Sequence, residues 1–370
     1  MSPEDYDVYL FPDEENRSFW SNLLKELLAF YSYQRYIGVV LAIIGIPTNL
    51  FHMIVLSRKT MRVSSTNIIL LGIAINDILI LVCILEIAVS QLSVMWLMKD
   101  LDSKCKPPNP YFQYLADRIF SSLSSLCRRT SIWLGVSLAV VRTVVIMNPL
   151  NDSISRLSLP KWGWFSNLSV LIFCSPLSVL FFLQYIVAPY RDWIPPAKCG
   201  YPENTTEIQY YLAENGWYSE RSVIATQQFL DGVISQIIPC FVLPIATVLL
   251  VWEVRKQTSK IVGNSSNPKA ADRSTKLVLF MTISFLLSAV PVGITKLIEA
   301  FVNDSPGIGR ITSLISSMFQ LFNSLNATIH FLICFFMSSQ YRETTKKMLS
   351  MQRSQNISRL VAVQAAPESA

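Results

Sequence analysis

The chain has 370 residues, of which 51% are hydrophobic and 15% charged, with a formal charge of +6. A soluble domain carries about a quarter charged residues, so this deficit points to a lipid-facing surface. The basic residues fall in short runs between apolar segments rather than on one module, which argues against nucleic acid as a partner.

The opening Met1-Ser-Pro-Glu-Asp5 is acidic and polar. A cleavable secretory signal needs a basic start and an apolar core, so none is expected, and the first apolar helix serves as a signal anchor. A membrane helix needs about 20 apolar residues to cross roughly 30 Å of hydrocarbon. Seven stretches qualify: Tyr36–Leu56, Asn67–Val89, Ile119–Met147, Trp162–Val187, Val223–Val254, Leu277–Ala300 and Ile311–Met337. The third carries Arg128 and Arg129 at its middle, so it must be shielded inside a bundle. The predicted fold is an all-α membrane protein, a seven-helix bundle over 36–337 preceded by an extracellular segment, 1–35. Residues 338–350 read as an amphipathic helix on the inner leaflet, and 351–370 as a disordered cytoplasmic tail. Between the fifth and sixth spans, Gly263–Ala271 reads as a flexible inner loop.

Loop charges set the orientation. Arg58, Lys59 and Arg62 follow the first span, Arg255 to Lys276 follow the fifth, and Arg342, Lys346 and Lys347 follow the seventh. Acidic residues gather on the other side, which puts the N-terminus outside and the C-terminus in the cytoplasm of a plasma-membrane protein. The sequons at Asn16 and Asn204 fall on the predicted outer face. Those at Asn167 and Asn326 lie inside predicted helices and should be silent. Cys83, Cys127, Cys174, Cys240 and Cys334 sit in membrane segments, where small apolar packing is their ordinary role. Cys105 and Cys199 lie in loops facing the oxidising side, so a disulfide between them is expected, the alternative being two free thiols.

Several motifs then stand in order: Gly45-Ile-Pro-Thr-Asn49, Gly72-Ile-Ala-Ile-Asn-Asp77, Ser131 to Arg142 followed by Pro149, Ile238-Pro-Cys240, and Asn326 to Cys334 followed by Tyr341-Arg342. Over about residues 36–350 the chain resembles rhodopsin-like G-protein-coupled receptors. More narrowly, it is similar to nematode serpentine chemoreceptors of class W and to FMRFamide-type neuropeptide receptors. There are departures. The acidic residue usual before the third-helix arginine is Val141, the tryptophan usual before Pro291 is Ala289, and Asn-Pro-x-x-Tyr becomes His330-Phe-Leu-Ile-Cys334. Cys105 also precedes Arg142 by more than the family spacing.

The resemblance implies roles. Asp77, with Asn49, Ser131, Asn326 and His330, would form a sodium site; the alternatives are a protonated aspartate bonded to Asn and Ser, or an ion pair with His330. Arg142 and Pro149 would meet a heterotrimeric G protein, with Lys276 adding charge complementarity and Pro291 the hinge of the sixth helix. By default an arginine at a helix end is an interface anchor. Arg128 and Arg129 point about 100° apart, so both cannot face one place, and the family register favours Arg128 for the ligand cavity. Glu86, Asp231 and Glu299 are its candidate counter-charges, and Lys296 lies where related receptors touch ligand. The alternative is an internal network that merely holds helices together. Trp193 and Trp217 could reach the cavity from the second outer loop.

The chain carries two histidines, both in membrane segments, and no phosphate-binding glycine loop, so an enzyme is not expected. The reading is a receptor for an extracellular peptide, FMRFamide-like, or a small chemosensory molecule. The rivals are a channel or transporter and a receptor-like protein that does not signal.

Overall fold

The computed structural model describes residues 8–11, 15–97, 102, 105–216, 221–261, 268–301, 306–337, 340–348 and 350. Seven long helices account for most of them. Helix α1 is Arg17–Leu56, α2 is Ser65–Leu97, α3 is Tyr111–Met147 and α4 is Pro160–Leu183. Helix α5 is made of Arg221–Gly232, a π-helical turn Val233–Ile237, and Ile238–Ile261. Helix α6 is Pro268–Phe301 and α7 is Pro306–Met337. Among the described residues six of these, all but α6, are long and apolar enough to cross a bilayer. Helix α6 has 34 residues, about 50 Å at ~1.5 Å per residue, which exceeds the hydrocarbon thickness.

The bundle is turned inside out relative to a soluble domain. Ile43, Phe165, Ile172, Phe241, Val248 and Leu287 are all exposed, while Asn49, Asp77, Arg129, Ser178 and Ser324 are buried. That is the arrangement a lipid solvent demands, with polar atoms satisfied internally and apolar ones facing out. The helices close a ring in which α1 packs on α2 and α7, α3 on α2 and α5, and α6 on α5 and α7. Helix α4 stands against α2 and α3.

Two glycines set close helix approaches. A Cβ at Gly72 would overlap the side-chain amide of Asn167, whose Nδ2 donates to Ile68 O at 2.9 Å. This amide, spent on α2, belongs to one of the sequons expected to be silent. A Cβ at Gly293 on α6 would lie 3.1 Å from Gln236 Cβ on α5, at the π-helical turn. That turn precedes Pro239, which has no N–H to donate back into the helix, so the extra residue is accommodated there.

Three of the boundaries that differ from the sequence expectation bear on the architecture. Helix α1 begins at Arg17, so residues 17–35 are a helical extension of the first span. Leu10 and Phe11 pack with Leu24, Ile311 and Leu314 against the start of α7. Helix α4 ends at Leu183, and residues 184–187 leave it for a strand. The inner loop is shorter, because the helix starting at Pro268 takes in 268–271; residues 262–267 lie outside the described set, as does the tail 351–370.

The second outer connection is an antiparallel hairpin of β1, Tyr185–Trp193, and β2, Glu207–Glu214, with an irregularity between Pro189 and Arg191. It was not expected from the sequence. A 3-10 turn Ala197–Cys199 hangs from it, closed by Gly200 at φ 72°. Cys199 is disulfide-bonded to Cys105, with Cα atoms 5.5 Å apart. Tyr201 Oη donates to Cys105 O at 3.0 Å, and Lys198 pairs with Asp102. The expected bridge is therefore formed, although Cys105 precedes α3 across a proline-rich segment.

Beyond α7, helix α8 covers 340–348. Tyr341, Thr345 and Met348 are buried at i, i+4, i+7 spacing, while Glu343, Lys346 and Lys347 are exposed. Tyr341 joins Val55, Leu56, Met61 and Leu71 in one cluster, so α8 is docked on the inner ends of α1 and α2.

Candidate functional site

Two cavities lie inside the bundle. The larger, about 460 Å³, runs between α2, α3, α5, α6 and α7 from Asp77 and Arg128 to Arg142 and Tyr341. The smaller, about 140 Å³, lies between α1, α2 and α7 and is also bounded by Arg128.

At the upper end of the larger cavity, Asp77 is 2% exposed and accepts from Ser131 Oγ at 3.0 Å. Asn323 and Asn326 line the same wall. Asn49 is engaged elsewhere: its Nδ2 donates to Gly45 O and Ala327 O, and its Oδ1 has no partner among the described residues. It thus clips α1 to α7. The side chain of His330 lies outside the described residues. Asp77 and Ser131 bring oxygen atoms, the donors a hard cation takes, to this end of the cavity, which Arg128 lines as well.

At the lower end, Arg142 lines the cavity with no hydrogen bond or ion pair among the described residues. Val141 offers no carboxylate to hold it. Cross-ties in this half are neutral instead. Thr143 Oγ1 donates to Ala246 O at 3.0 Å, and the hydroxyls of Thr247 and Thr282 meet at 2.8 Å. These threonines join α3 to α5 and α5 to α6, and the sequence reading missed them because a threonine in a membrane helix ordinarily bonds its own backbone. Pro149 is exposed in the turn after α3. Pro291 sits inside α6, and Ala289 beside it is fully buried against Ile132 and Phe285. Lys276 is on α6, with its side chain outside the described residues.

The buried charges pair differently from the sequence expectation. Asp231 belongs to Arg129, whose Nε donates to its Oδ1 at 2.7 Å, and Ser235 Oγ donates to the same oxygen at 2.8 Å. A second guanidinium nitrogen of Arg129 reaches Ser178 Oγ. Lys296 and Glu299 pair with each other at 2.7 Å, one turn apart on α6. Neither Asp231 nor Glu299 is therefore the counter-charge of Arg128. Glu86 is not either: its Oε2 is buried without a partner among the described residues, and the charge it faces is Asp117 on α3. Arg128 donates to Ser124 Oγ at 3.0 Å, within its own helix, and its Nη1 has no partner among the described residues.

Arg118 was also missed. It donates to the carbonyls of Phe181 and Phe182 at the C-terminus of α4 and stacks over Phe181 and Tyr185 at 5.1 and 5.2 Å. A cation there satisfies carbonyls that the helix itself cannot. Trp193 packs edge-on against Tyr201 in the hairpin, and Trp217 lies outside the described residues. Asn16 and Asn204 are exposed, Asn204 at φ 68° in the hairpin loop.

Residues 36–352 match the family of serpentine type 7TM GPCR chemoreceptors, Srw. The chain belongs to this family. It is a multi-pass membrane protein and a G-protein-coupled receptor, in agreement with the bundle. The receptor is 25% identical over 361 residues to the Sex peptide receptor of Drosophila melanogaster, covering 91% of this chain and 77% of that receptor. It is 21% identical over 370 residues to the G-protein coupled receptor dmsr-1 of Caenorhabditis elegans, covering 88% of this chain and 70% of that one.

Proposed function

We propose that this receptor binds an extracellular peptide, or a small chemosensory molecule of similar chemistry, and passes the signal to a heterotrimeric G protein at its inner end. The observation that carries the reading is the larger cavity: it joins a buried polar centre at Asp77 and Arg128 to Arg142 at the inner end of α3. A ligand acts by binding one arrangement of the helices better than the other. Pro291 supplies a bend in α6, and the neutral Thr247–Thr282 tie is the kind of contact that such a bend rearranges. The output is conformational, and no catalytic step is assigned.

A peptide is favoured over an apolar odorant because charges of both signs stand within the bundle, at Arg128, Glu86, Asp231, Lys296 and Glu299. The relative named for sex peptide agrees in ligand class. We place the N-terminus outside the plasma membrane, with Asn16 and Asn204 glycosylated; a glycosidase-sensitive mass shift lost in Asn16→Gln/Asn204→Gln tests this. We also assign Asp77, Ser131 and Asn326 to a sodium ion, with Asn49 holding the helices rather than the ion.

The deciding experiment is nucleotide exchange on G proteins co-reconstituted with the receptor, screened against a peptide library. Arg142→Ala at matched surface expression should abolish exchange while leaving peptide binding intact. Wild-type exchange in that variant would overturn the role of Arg142. Specific peptide binding with no exchange on any G protein would instead favour a receptor that does not signal, a reading to which Val141 and Ala289 lend support.

A further inference from the structure

The smaller cavity differs from the rest of the bundle in the sign of its charge. Two guanidinium groups line it, Arg35 from α1 and Arg128 from α3, and no acidic side chain among the described residues does. Two other cations of the outer half have acidic partners, Arg129 with Asp231 and Lys296 with Glu299. Among the described residues Arg128 makes a single bond, to Ser124 Oγ, and its Nη1 is buried without a partner; Arg35 Nε is likewise buried without a partner among them. The Arg35 guanidinium is held over the Tyr31 ring at 5.5 Å. Neutral donors complete the wall at Gln91 and Gln320.

We propose that this cavity is a carboxylate-binding subsite, taking an acidic group of the extracellular ligand between Arg35 and Arg128. The inference rests on the receptor reading and deepens it. A guanidinium left unpaired out of water is costly, and a carboxylate answers both its charge and its planar donor geometry. The volume, about 140 Å³, exceeds the roughly 30 Å³ share of one water. It holds a carboxylate with a few carbons and not a whole peptide. The carboxylates of Glu86 and Asp117 cannot fill the role, because neither lines this cavity. Arg128 lines both cavities, so an anion on its outer side acts on the wall of the space that ends at Arg142.

The test uses the full-length receptor in nanodiscs, with hexanoate and hexanamide as probes at constant ionic strength, read by thermal melting. Hexanoate should half-saturate at roughly ten- to hundredfold lower concentration than hexanamide, the ratio expected of hydrogen bonds to a charged group. Arg128→Gln and Arg35→Gln should each bring the two probes together, and Arg128→Lys should retain part of the preference. Equal shifts by both probes in the wild type would overturn the proposal, as would a preference that survives both glutamine variants. The wild-type comparison and Arg35→Gln decide the matter even if Arg128→Gln does not fold. The melt reads binding alone: acid preference without G-protein activation by any peptide would sink the signalling reading and leave this subsite standing.

Discussion

Arg129 on α3 and Asp231 on α5 form an ion pair at 2.7 Å, with the Arg129 side chain 4% exposed and that of Asp231 24% exposed. Ser178 from α4 and Ser235 from α5 complete their hydrogen bonds, so three helices meet on one buried pair. Removing one partner strands a charge, which costs about 3–5 kcal/mol. We therefore expect Arg129→Met and Asp231→Asn each to lower the melting temperature of the purified receptor sharply. The double variant should lose clearly less than the sum of the two, because it strands no charge. Additive losses would mean that the two residues contribute independently.

The bundle itself was legible because apolar length is a coarse, robust signal: each of the seven predicted stretches overlaps a long helix, and the Cys105–Cys199 bridge followed from loop placement alone. The pairing of buried charges was not legible. Arg128 and Arg129 are adjacent, and which of them meets Asp231 depends on rotation about the helix axis, which a π-helical turn in α5 alters further. The hairpin escaped notice because Tyr185, Ile186 and Val187 continue the apolar run of α4. The extension of α1 escaped because a helix need not stop where the hydrocarbon does. The departures at Val141 and Ala289 were visible as letters. Their consequence, an Arg142 with no ion pair among the described residues and a small residue packed against Phe285, required the neighbours.

Helix α8 should be held in its apolar seat with the help of a buried polar contact. Tyr341 Oη lies 3.0 Å from His52 Nδ1, and both side chains are at most 1% exposed. Burial raises the Tyr341 phenol above its ordinary pKa, so it stays protonated at physiological pH and can donate to the neutral imidazole. Tyr341→Phe keeps the ring and removes the contact of its hydroxyl with His52, a loss of about 0.5–1.5 kcal/mol. Tyr341→Ala also empties the seat and should cost about 3–5 kcal/mol. Hydrogen exchange over 340–348 should rise modestly in the first variant and strongly in the second. Equal exchange in both would show that the hydroxyl, not the ring, holds the helix.

Gly72 and Asn167 should behave as a coupled pair. A methyl group at 72 occupies the space of the Asn167 amide, which must then give up its bond to Ile68 O. Gly72→Ala should destabilise the α2–α4 contact by about 1–3 kcal/mol, the cost of overpacking. Adding Asn167→Ala removes the overlapping atoms, so the double variant should recover part of the loss. If Asn167→Ala makes Gly72→Ala worse, the clash is not with this side chain.

Sodium provides the sharpest division between two readings of Asp77. As a carboxylate bonded to Ser131 Oγ in a cavity that Asn323 and Asn326 also line, it should prefer sodium to the larger potassium. As a protonated acid satisfied by Ser131 it should be indifferent to both. An ion that binds only the folded receptor stabilises it by about 2.7 kcal/mol at a hundredfold excess over its Kd. Melting in sodium chloride against potassium chloride at equal ionic strength should therefore favour sodium in the wild type. Asp77→Asn should flatten the difference and Ser131→Ala should reduce it, whereas Asn49→Ala should lower the melting temperature equally in both salts, because Asn49 is not among the described residues that line the cavity at Asp77 and ties α1 to α7 through Ala327 O. A wild-type receptor that melts alike in the two salts would leave the protonated acid as the state of Asp77.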